Sequence, residues 1–447
     1  MSWEAKNDAA LRSELNGFDR LARRLLIKPL SKLHNGQITL DDASGTVALG
    51  EPADLHTTIR VRNPRFFRHA VLGGTLSVAE SYLHGDWDCD DLTALFRIFV
   101  RNMETADQLD RGPSRLMQSA NRWYHWWHAN TKSGSRRNIH AHYDLGNDFF
   151  KLWLDDTLAY SSGIFATSEA TLREASVEKF DRICRKLQLA PRDHVVEIGT
   201  GWGGFAMHAA GRYGCRVTTT TISQQQYDLA RERIRESRLH DRVEVLLCDY
   251  RDLTGKYDKL VSIEMIEAVG EQFFDTYFRK CGELLRPNGS FVLQAIVMPE
   301  RRFDAYLRSV DFIQRYVFPG GCLPSIAAAL NSVGRASDLR FVHGEDFAPH
   351  YAETLRRWRL AFQAKLDDVR QQGYSEAFIR LWNYYLCYCE AVFEERYTGV
   401  VQLQFDKPQC RRDPIEIGLA SSAVPRGEFM PRRDVPLDQL QDATNNP

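Results

Sequence analysis

A short apolar run, HVVEI at residues 194–198, breaks directly into Gly199-Thr200-Gly201-Trp202-Gly203-Gly204. Glycines at that density let a backbone bend sharply and approach a ligand closely. A buried strand followed by such a turn and then a helix commits the chain to an open α/β sheet, whose ligand sits at the carboxyl ends of the strands. The next 90 or so residues keep the rhythm. CRVTTTT (215–221) reads as a second strand, QQQYDLARERIRES as a helix, VEVLLCD (243–249) as a third strand and DKLVSI (258–263) as a fourth. EQFFDTYFRKCGELL is an amphipathic helix closed by Pro287, Asn288 and Gly289, and SFVLQAIV (290–297) is a fifth strand. Strands alternating with helices predict a parallel sheet covered by helices on both faces. Residues 300–410 read as mostly helical and aromatic.

The flanking regions are of other kinds. Residues 1–125 read as a smaller mixed α+β domain that recruits lipid or membrane: a helical stretch from Phe18 to Leu33, β-like runs (QITL, TVAL, TIRVR), then a helical segment ending in ESYLHGDWDCDDL. Residues 126–139 read as a basic linker. Around it, Trp123, Tyr124, Trp126 and Trp127 precede Lys132, Arg136 and Arg137. Rings beside basic side chains suit a lipid headgroup boundary; a helix packed on a neighbouring domain would show the same pattern. The catalytic domain is expected over 140–410, and the polar tail 411–447 is expected to be poorly ordered.

Bulk properties narrow the function. A formal net charge of -1 gives no general attraction to nucleic acid. The nine cysteines form no CxxC pair, which suits reduced thiols in the cytoplasm. The polar N-terminus MSWEAKNDAALRSEL lacks a signal peptide's apolar core, and no segment approaches the roughly 20 apolar residues of a membrane span. A cytoplasmic protein lying peripherally on the inner face of the membrane is expected. His140 and His142 lack further spaced ligands, so no metal is expected.

The glycine turn has the spacing GxGxG, with an acid, Glu197, on the strand itself. That matches S-adenosylmethionine-dependent methyltransferases better than dinucleotide enzymes, which place GxGxxG there. Asp249-Tyr250-Arg251 ends the third strand, where methyltransferases commonly set an acid and an aromatic around the adenine. The second strand ends in Thr221-Ile222-Ser223-Gln224-Gln225-Gln226 rather than in the usual ribose-binding carboxylate.

Seven ordered segments complete the pattern: AHYDLGNDFFKLWLDDTLAYSSGIF, VVEIGTGWGG, VTTTTISQQQ, LVSIEMIEAVG, YVFPGGCLPS, HYAETLRRW and YYLCYCEAVF, spanning about residues 138–406. They resemble the cyclopropane-fatty-acyl-phospholipid synthases and the related mycolic acid methyltransferases, and ESYLHGDWDC fits the phospholipid-acting branch. The resemblance implies a Rossmann-like methyltransferase sheet with helical lipid-binding insertions. It implies that S-adenosylmethionine is held by Tyr160, Ser161, Val196, Glu197, Gly199, Thr200, Gly201, Trp202, Gly203, Thr221, Gln226, Asp249, Tyr250 and Arg251, with Glu264 near that surface.

The implied reaction converts the double bond of an unsaturated phospholipid acyl chain, in a membrane, to a cyclopropane. The alkene attacks the sulfonium methyl, and a bound bicarbonate then takes a proton from the new methyl group so that the ring closes. By the same resemblance its ligands are Ser162, Glu267, Gln294, the Ile296 backbone and Tyr351. Two of these depart from the family pattern, which has cysteine at Ser162 and histidine at Gln294. Glutamine can hydrogen-bond an anion but cannot titrate near neutral pH. The departures open an alternative in which the chain is methylated without ring closure. The family also carries a cysteine at Cys389, sometimes assigned to the active site. Transfer to an alkene needs no enzyme nucleophile, so a core thiol is the preferred reading. A homodimer is left open, and an inactive lipid-binding protein with the same fold is the rival from another class.

Overall fold

The computed structural model describes residues 15–103 and 146–411. The aromatic-basic segment around Trp123 to Arg137, the pair His140 and His142, and the tail lie outside the described residues.

The sequence rhythm is realised as a seven-stranded sheet of order β10-β11-β9-β8-β5-β6-β7. Its parallel part contains β5 (His194–Ile198), β6 (Arg216–Thr221), β7 (Val243–Leu247), β8 (Tyr257–Ile263) and β9 (Leu285–Val297). Val195, Val196 and Ile198 of β5 are all buried, as a central strand covered on both faces requires. The chain leaves β5 toward β6 and β7, then returns to β8 on the other side. Adjacent strands whose connections run opposite ways leave a crevice at their carboxyl ends. That crevice lies between the turn after β5 and the residues after β8.

Two differences from the sequence reading concern strands. β10 (Arg340–Asp346) and β11 (Gly399–Asp406) extend the sheet antiparallel, within a stretch read as mostly helical. The run GVVQLQFD alternates apolar residues with Gln402 and Gln404, but both glutamines are fully buried, so the usual outward polar face is missing. β9 also begins at Leu285, running through Pro287-Asn288-Gly289 with a register shift opposite Tyr257 and Lys259.

The N-terminal part holds α1 (Gly17–Leu30), close to the predicted helix, and a four-stranded sheet of order β2-β1-β3-β4, made of β1 (Gln37–Asp42), β2 (Gly45–Gly50), β3 (His56–Val61) and β4 (Trp87–Cys89). Helices α2 (Arg65–Leu83) and α3 (Leu92–Arg101) complete it. In the catalytic part, α4 (Asn147–Lys151) and α5 (Leu172–Leu187) precede β5, α6 (Gly204–Tyr213) and α7 (Gln224–Glu236) follow β5 and β6, and α8 (Phe274–Leu284) precedes β9. Then come α9 (Glu300–Tyr306), α10 (Ile326–Ala336), α11 (Ala348–Ala364), α12 (Leu366–Gln371) and α13 (Glu376–Glu394).

Polar and aromatic contacts fix α13 to the N-terminal part. Arg380 donates to the carbonyls of Tyr82 and Trp87 at 2.5 and 2.7 Å and to Asp88 at 2.7 Å, with its guanidinium over the Tyr82 ring. Phe96 of α3 packs edge-on against Tyr384 and Tyr388 of α13. Among the described residues, no helix is long and apolar enough to cross a membrane.

Candidate active site

A cavity of about 890 Å³ follows the carboxyl ends of β5, β6 and β8 and continues between the helices above the sheet. Gly199 and Gly201 take φ values of +104° and +51°, conformations that favour glycine. A Cβ on Gly201 would meet nothing within 4 Å, so the backbone there lies bare to the cavity. Glu197, Thr200, Trp202, Thr221, Gln226, Asp249, Tyr250, Arg251, Tyr160 and Ser161 also line it. Val196 and Gly203 lie behind this wall rather than on it.

Local folding rules set these side chains. Ser223 caps α7 by accepting from the Gln226 amide, which places Gln226 in the first turn. Thr221 then donates to the Gln226 side-chain oxygen at 2.8 Å. Asp249 grips Arg251 with both oxygens, at 2.8 and 2.6 Å. Tyr160 packs among Phe150, Trp153 and Trp358 and shares a hydroxyl hydrogen bond of 2.9 Å with Tyr385. The wall thus offers bare backbone, an amide and rings, a donor set that fits S-adenosylmethionine.

The residues expected to hold bicarbonate are arranged differently from the expectation. Glu264, placed by the sequence reading on the cofactor surface, stands at their centre. One carboxylate oxygen accepts from the Ser162 amide at 3.0 Å and from Gln294 Nε2 at 2.8 Å. The other accepts from the Tyr351 hydroxyl at 2.8 Å. The Ile296 amide, a further expected ligand, donates to Glu267 at 2.6 Å. Ser162 and Gln294 are fully buried behind Glu264 and do not reach the cavity, whereas Glu264, Glu267, Ile296, Tyr351 and Cys389 line it. The amide, hydroxyl and side-chain donors are therefore taken by the chain's own carboxylates, and this set does not fit a second anion. Glu264 itself has a φ of +48°, a strained conformation for a side-chain-bearing residue of a kind concentrated at functional sites.

Burial governs the charges. Burial, and then Glu264, pushes the Glu267 carboxyl up to about 8. Burial also raises Glu264, but Lys179, Gln294, Ser162 and Tyr351 all act to keep it ionised. Two neighbouring buried carboxylates do not both ionise readily. With three donors against one, Glu264 carries the charge near neutral pH and Glu267 the proton. Burial likewise lifts Glu197 to about 8, opposed by Thr219 and Lys179. Lys179, wholly buried on α5, donates to the Ser161 hydroxyl at 2.5 Å. Burial pulls its ammonium down to about 8, opposed by Glu264, Asp155 and Glu197.

The rest of the cavity is mainly aromatic and aliphatic, with Arg302, Asp311 and Gln314 also in its lining. Leu95, Phe96, Phe99 and Val100 of α3 face it together with Tyr384 and Tyr388 of α13. Burial pushes the Cys389 thiol far up, which opposes a thiolate nucleophile and suits a thiol in an apolar wall. None of the nine cysteines is bridged, and among the described residues no group of His, Cys, Asp or Glu could hold a metal ion. Sequence reasoning missed Lys179. It lies four residues from Ala175 and from Ile183, on the buried face of α5, so a lysine inside an apolar helical stripe was the available signal.

The chain is similar to several known proteins. The family profile of mycolic acid cyclopropane synthetase matches residues 130–403. The chain is 38% identical over 345 residues to the tuberculostearic acid methyltransferase UfaA1 of Mycobacterium tuberculosis, covering 76% of this chain and 79% of that protein. It is 35% identical over 367 residues to the cyclopropane-fatty-acyl-phospholipid synthase of Escherichia coli K12, covering 80% and 88%. Among solved structures, the mycolic acid cyclopropane synthase CmaA1, complexed with SAH and CTAB, aligns with a TM-score of 0.57 at 31% identity, covering 61% of this chain and 98% of that one.

Two outcomes are expected. Gly201→Val sets a β-branched side chain at positive φ and points it into the cofactor cavity. S-adenosylmethionine affinity by calorimetry should fall by roughly tenfold or more, about 1.4 kcal/mol; parental affinity would put the cofactor elsewhere. Second, a carboxyl whose folded pKa exceeds its unfolded value stabilises the fold at low pH and loses that advantage as pH rises. Glu267 releases its proton near 4.5 when unfolded and about 8 when folded, so stability should fall across that window. In denaturant titrations Glu267→Gln should flatten this fall. An unaltered slope would mean that Glu267 is not protonated in the folded protein.

Proposed function

The chain belongs to the mycolic acid cyclopropane synthetase family, and we propose that it methylates the double bond of an unsaturated phospholipid acyl chain, leaving a methylated alkene. Members of the family are S-adenosylmethionine-dependent transferases acting on lipid acyl chains. The observation that carries the finer reading is the carboxylate of Glu264, set among the donors where a bicarbonate would otherwise be held.

Bound S-adenosylmethionine supplies an electrophilic methyl group on its sulfonium. The chain's residues do the rest. The bare turn at Gly199 and Gly201 and the side chains of Thr221, Gln226 and Tyr250 hold the cofactor. The α3 and α13 walls hold the acyl chain and exclude water. As the alkene electron pair forms the new carbon–carbon bond, the sulfur–methyl bond would break with its electron pair left on sulfur, and positive charge passes to the acyl chain. Ionised Glu264 stabilises that charge electrostatically, and the rings of Tyr160, Tyr384 and Tyr388 offer their negative faces. Glu264 then accepts the proton that leaves. Its two oxygens already share three donors, which makes it a fixed and weak base. A cation beside a weak base persists and sheds the proton that leaves most easily, giving an alkene. Ring closure demands a base aimed at the new methyl group.

Ring closure is the second reading. It is favoured by the likeness to the Escherichia coli synthase and by a carboxylate standing among the same donors. The phospholipid assignment rests on ESYLHGDWDC and on alignment with that synthase over 80% of this chain. We read residues 1–125 as the lipid-recruiting part, and the site of action as the membrane surface.

The test uses purified protein, vesicles of unsaturated phospholipid and labelled S-adenosylmethionine. A labelled product that takes up hydrogen under mild catalytic hydrogenation is a methylated alkene; one that resists is a ring and supports the second reading. No transfer to any unsaturated phospholipid would favour a binding protein. Glu264→Gln should keep cofactor affinity and lose turnover by about 100-fold or more, the scale of a lost general base; near-parental turnover would assign Glu264 to structure.

A further inference from the structure

Behind Glu264 a row of buried polar side chains leads away from the cavity. Gln294 of β9 and Gln402 of β11 are direct cross-strand partners, and both are fully buried. Gln402 Nε2 donates to Gln294 Oε1 at 3.0 Å. Gln402 Oε1 accepts from Lys186 Nζ at 2.6 Å. Lys186, nearly buried on α5, is held in turn by Glu345 of β10 at 2.6 Å. Arg182 pairs with the other oxygen of Glu345. Neither glutamine nor Lys186 touches the space assigned to substrate and cofactor.

We propose that Lys186 is a positioning residue, which through Gln402 fixes the direction of the Gln294 amide so that Gln294 must donate to Glu264. An ammonium can only donate, so the Gln402 atom facing Lys186 is the oxygen. The Gln402 nitrogen then faces β9, and the atom of Gln294 that meets it is the oxygen. Only the Gln294 nitrogen is left to face Glu264. Without the lysine, both amides can turn over together and keep their mutual hydrogen bond. The turned Gln294 would then present its oxygen to a buried carboxylate, replacing an attraction by a repulsion. An amide has no directional preference of its own; here Glu264 sets the direction from one end of the row and Lys186 from the other.

This rests on Glu264 acting as the charge-bearing group, and the experiment separates the two ideas. Gln402→Glu is nearly isosteric and strengthens the pair with Lys186, yet an acceptor-only side chain requires the Gln294 nitrogen to turn toward it and away from Glu264. The expected result is a melting temperature at or above the parent, unchanged S-adenosylmethionine affinity and unchanged KM for lipid, with kcat lower by roughly tenfold or more, as for loss of a hydrogen bond to a charged group. Lys186→Met should lower kcat in the same way, since Glu345 keeps Arg182. Lys186→Arg, again a pure donor, should restore it.

Parental kcat in Gln402→Glu would overturn the proposal, as would parallel losses of kcat and melting temperature. If Gln402→Glu does not fold, the Lys186 pair decides: parental kcat in Lys186→Met, or no restoration in Lys186→Arg, overturns it. Glu264→Gln run alongside tells which idea has failed. An inactive Glu264→Gln beside an active Gln402→Glu removes the relay alone, and an active Glu264→Gln removes the role of Glu264.

Discussion

Burial of the Glu264 carboxylate at the end of β8 is the constraint on which the site depends. A charge taken out of water is costly unless it is paired and hydrogen-bonded. Here the donors come from three separate places, the Ser162 amide before α5, Gln294 on β9 and Tyr351 on α11, and the ammonium of Lys179 on α5 adds a longer-range attraction. Each must be in position for the others to be worth their burial. The positive φ of Glu264 brings the carboxylate into their midst, and a strained backbone persists only where its surroundings over-determine it.

The sheet supplies this convergence. The reversal of strand order beside β5 opens the crevice, the glycine turn after β5 lines one side, and the segment after β8 brings Glu264 and Glu267 to the other. β11 lies antiparallel to β9 and sets Gln402 against Gln294. The helical layer then extends the crevice into a larger, mainly apolar cavity. Its far wall includes α3, which precedes the residues 130–403 that the family profile matches. Arg380 and the rings of Phe96 and Tyr384 hold this wall in place.

Much of this was legible in the sequence, for physical reasons. Strands β5 to β8 announce themselves because short apolar runs end in turn residues, and GxGxG has few uses other than close backbone approach to a ligand. Ser162, Gln294 and Tyr351 were grouped as ligands of one free anion, and their donors meet at the Glu264 carboxylate. What they converge on was not legible. A glutamate at the end of a strand reads as one more polar residue beside a cofactor, and only geometry shows its carboxylate occupying a place expected for a free anion. The same limit hid β11 and Lys186. Buried glutamines and lysines are satisfied by partners distant in sequence, so their polarity suggests surface to any local reading.

The central claim is that the chain provides its own anion at this site. The most direct test is the rate of the purified enzyme on an unsaturated phospholipid, measured from carbonate-free buffer up to saturating added bicarbonate at constant pH and ionic strength. Occupation of the donors by Glu264 predicts full activity without bicarbonate and no change on adding it. A rate that vanishes in carbonate-free buffer and is restored by bicarbonate would contradict the account.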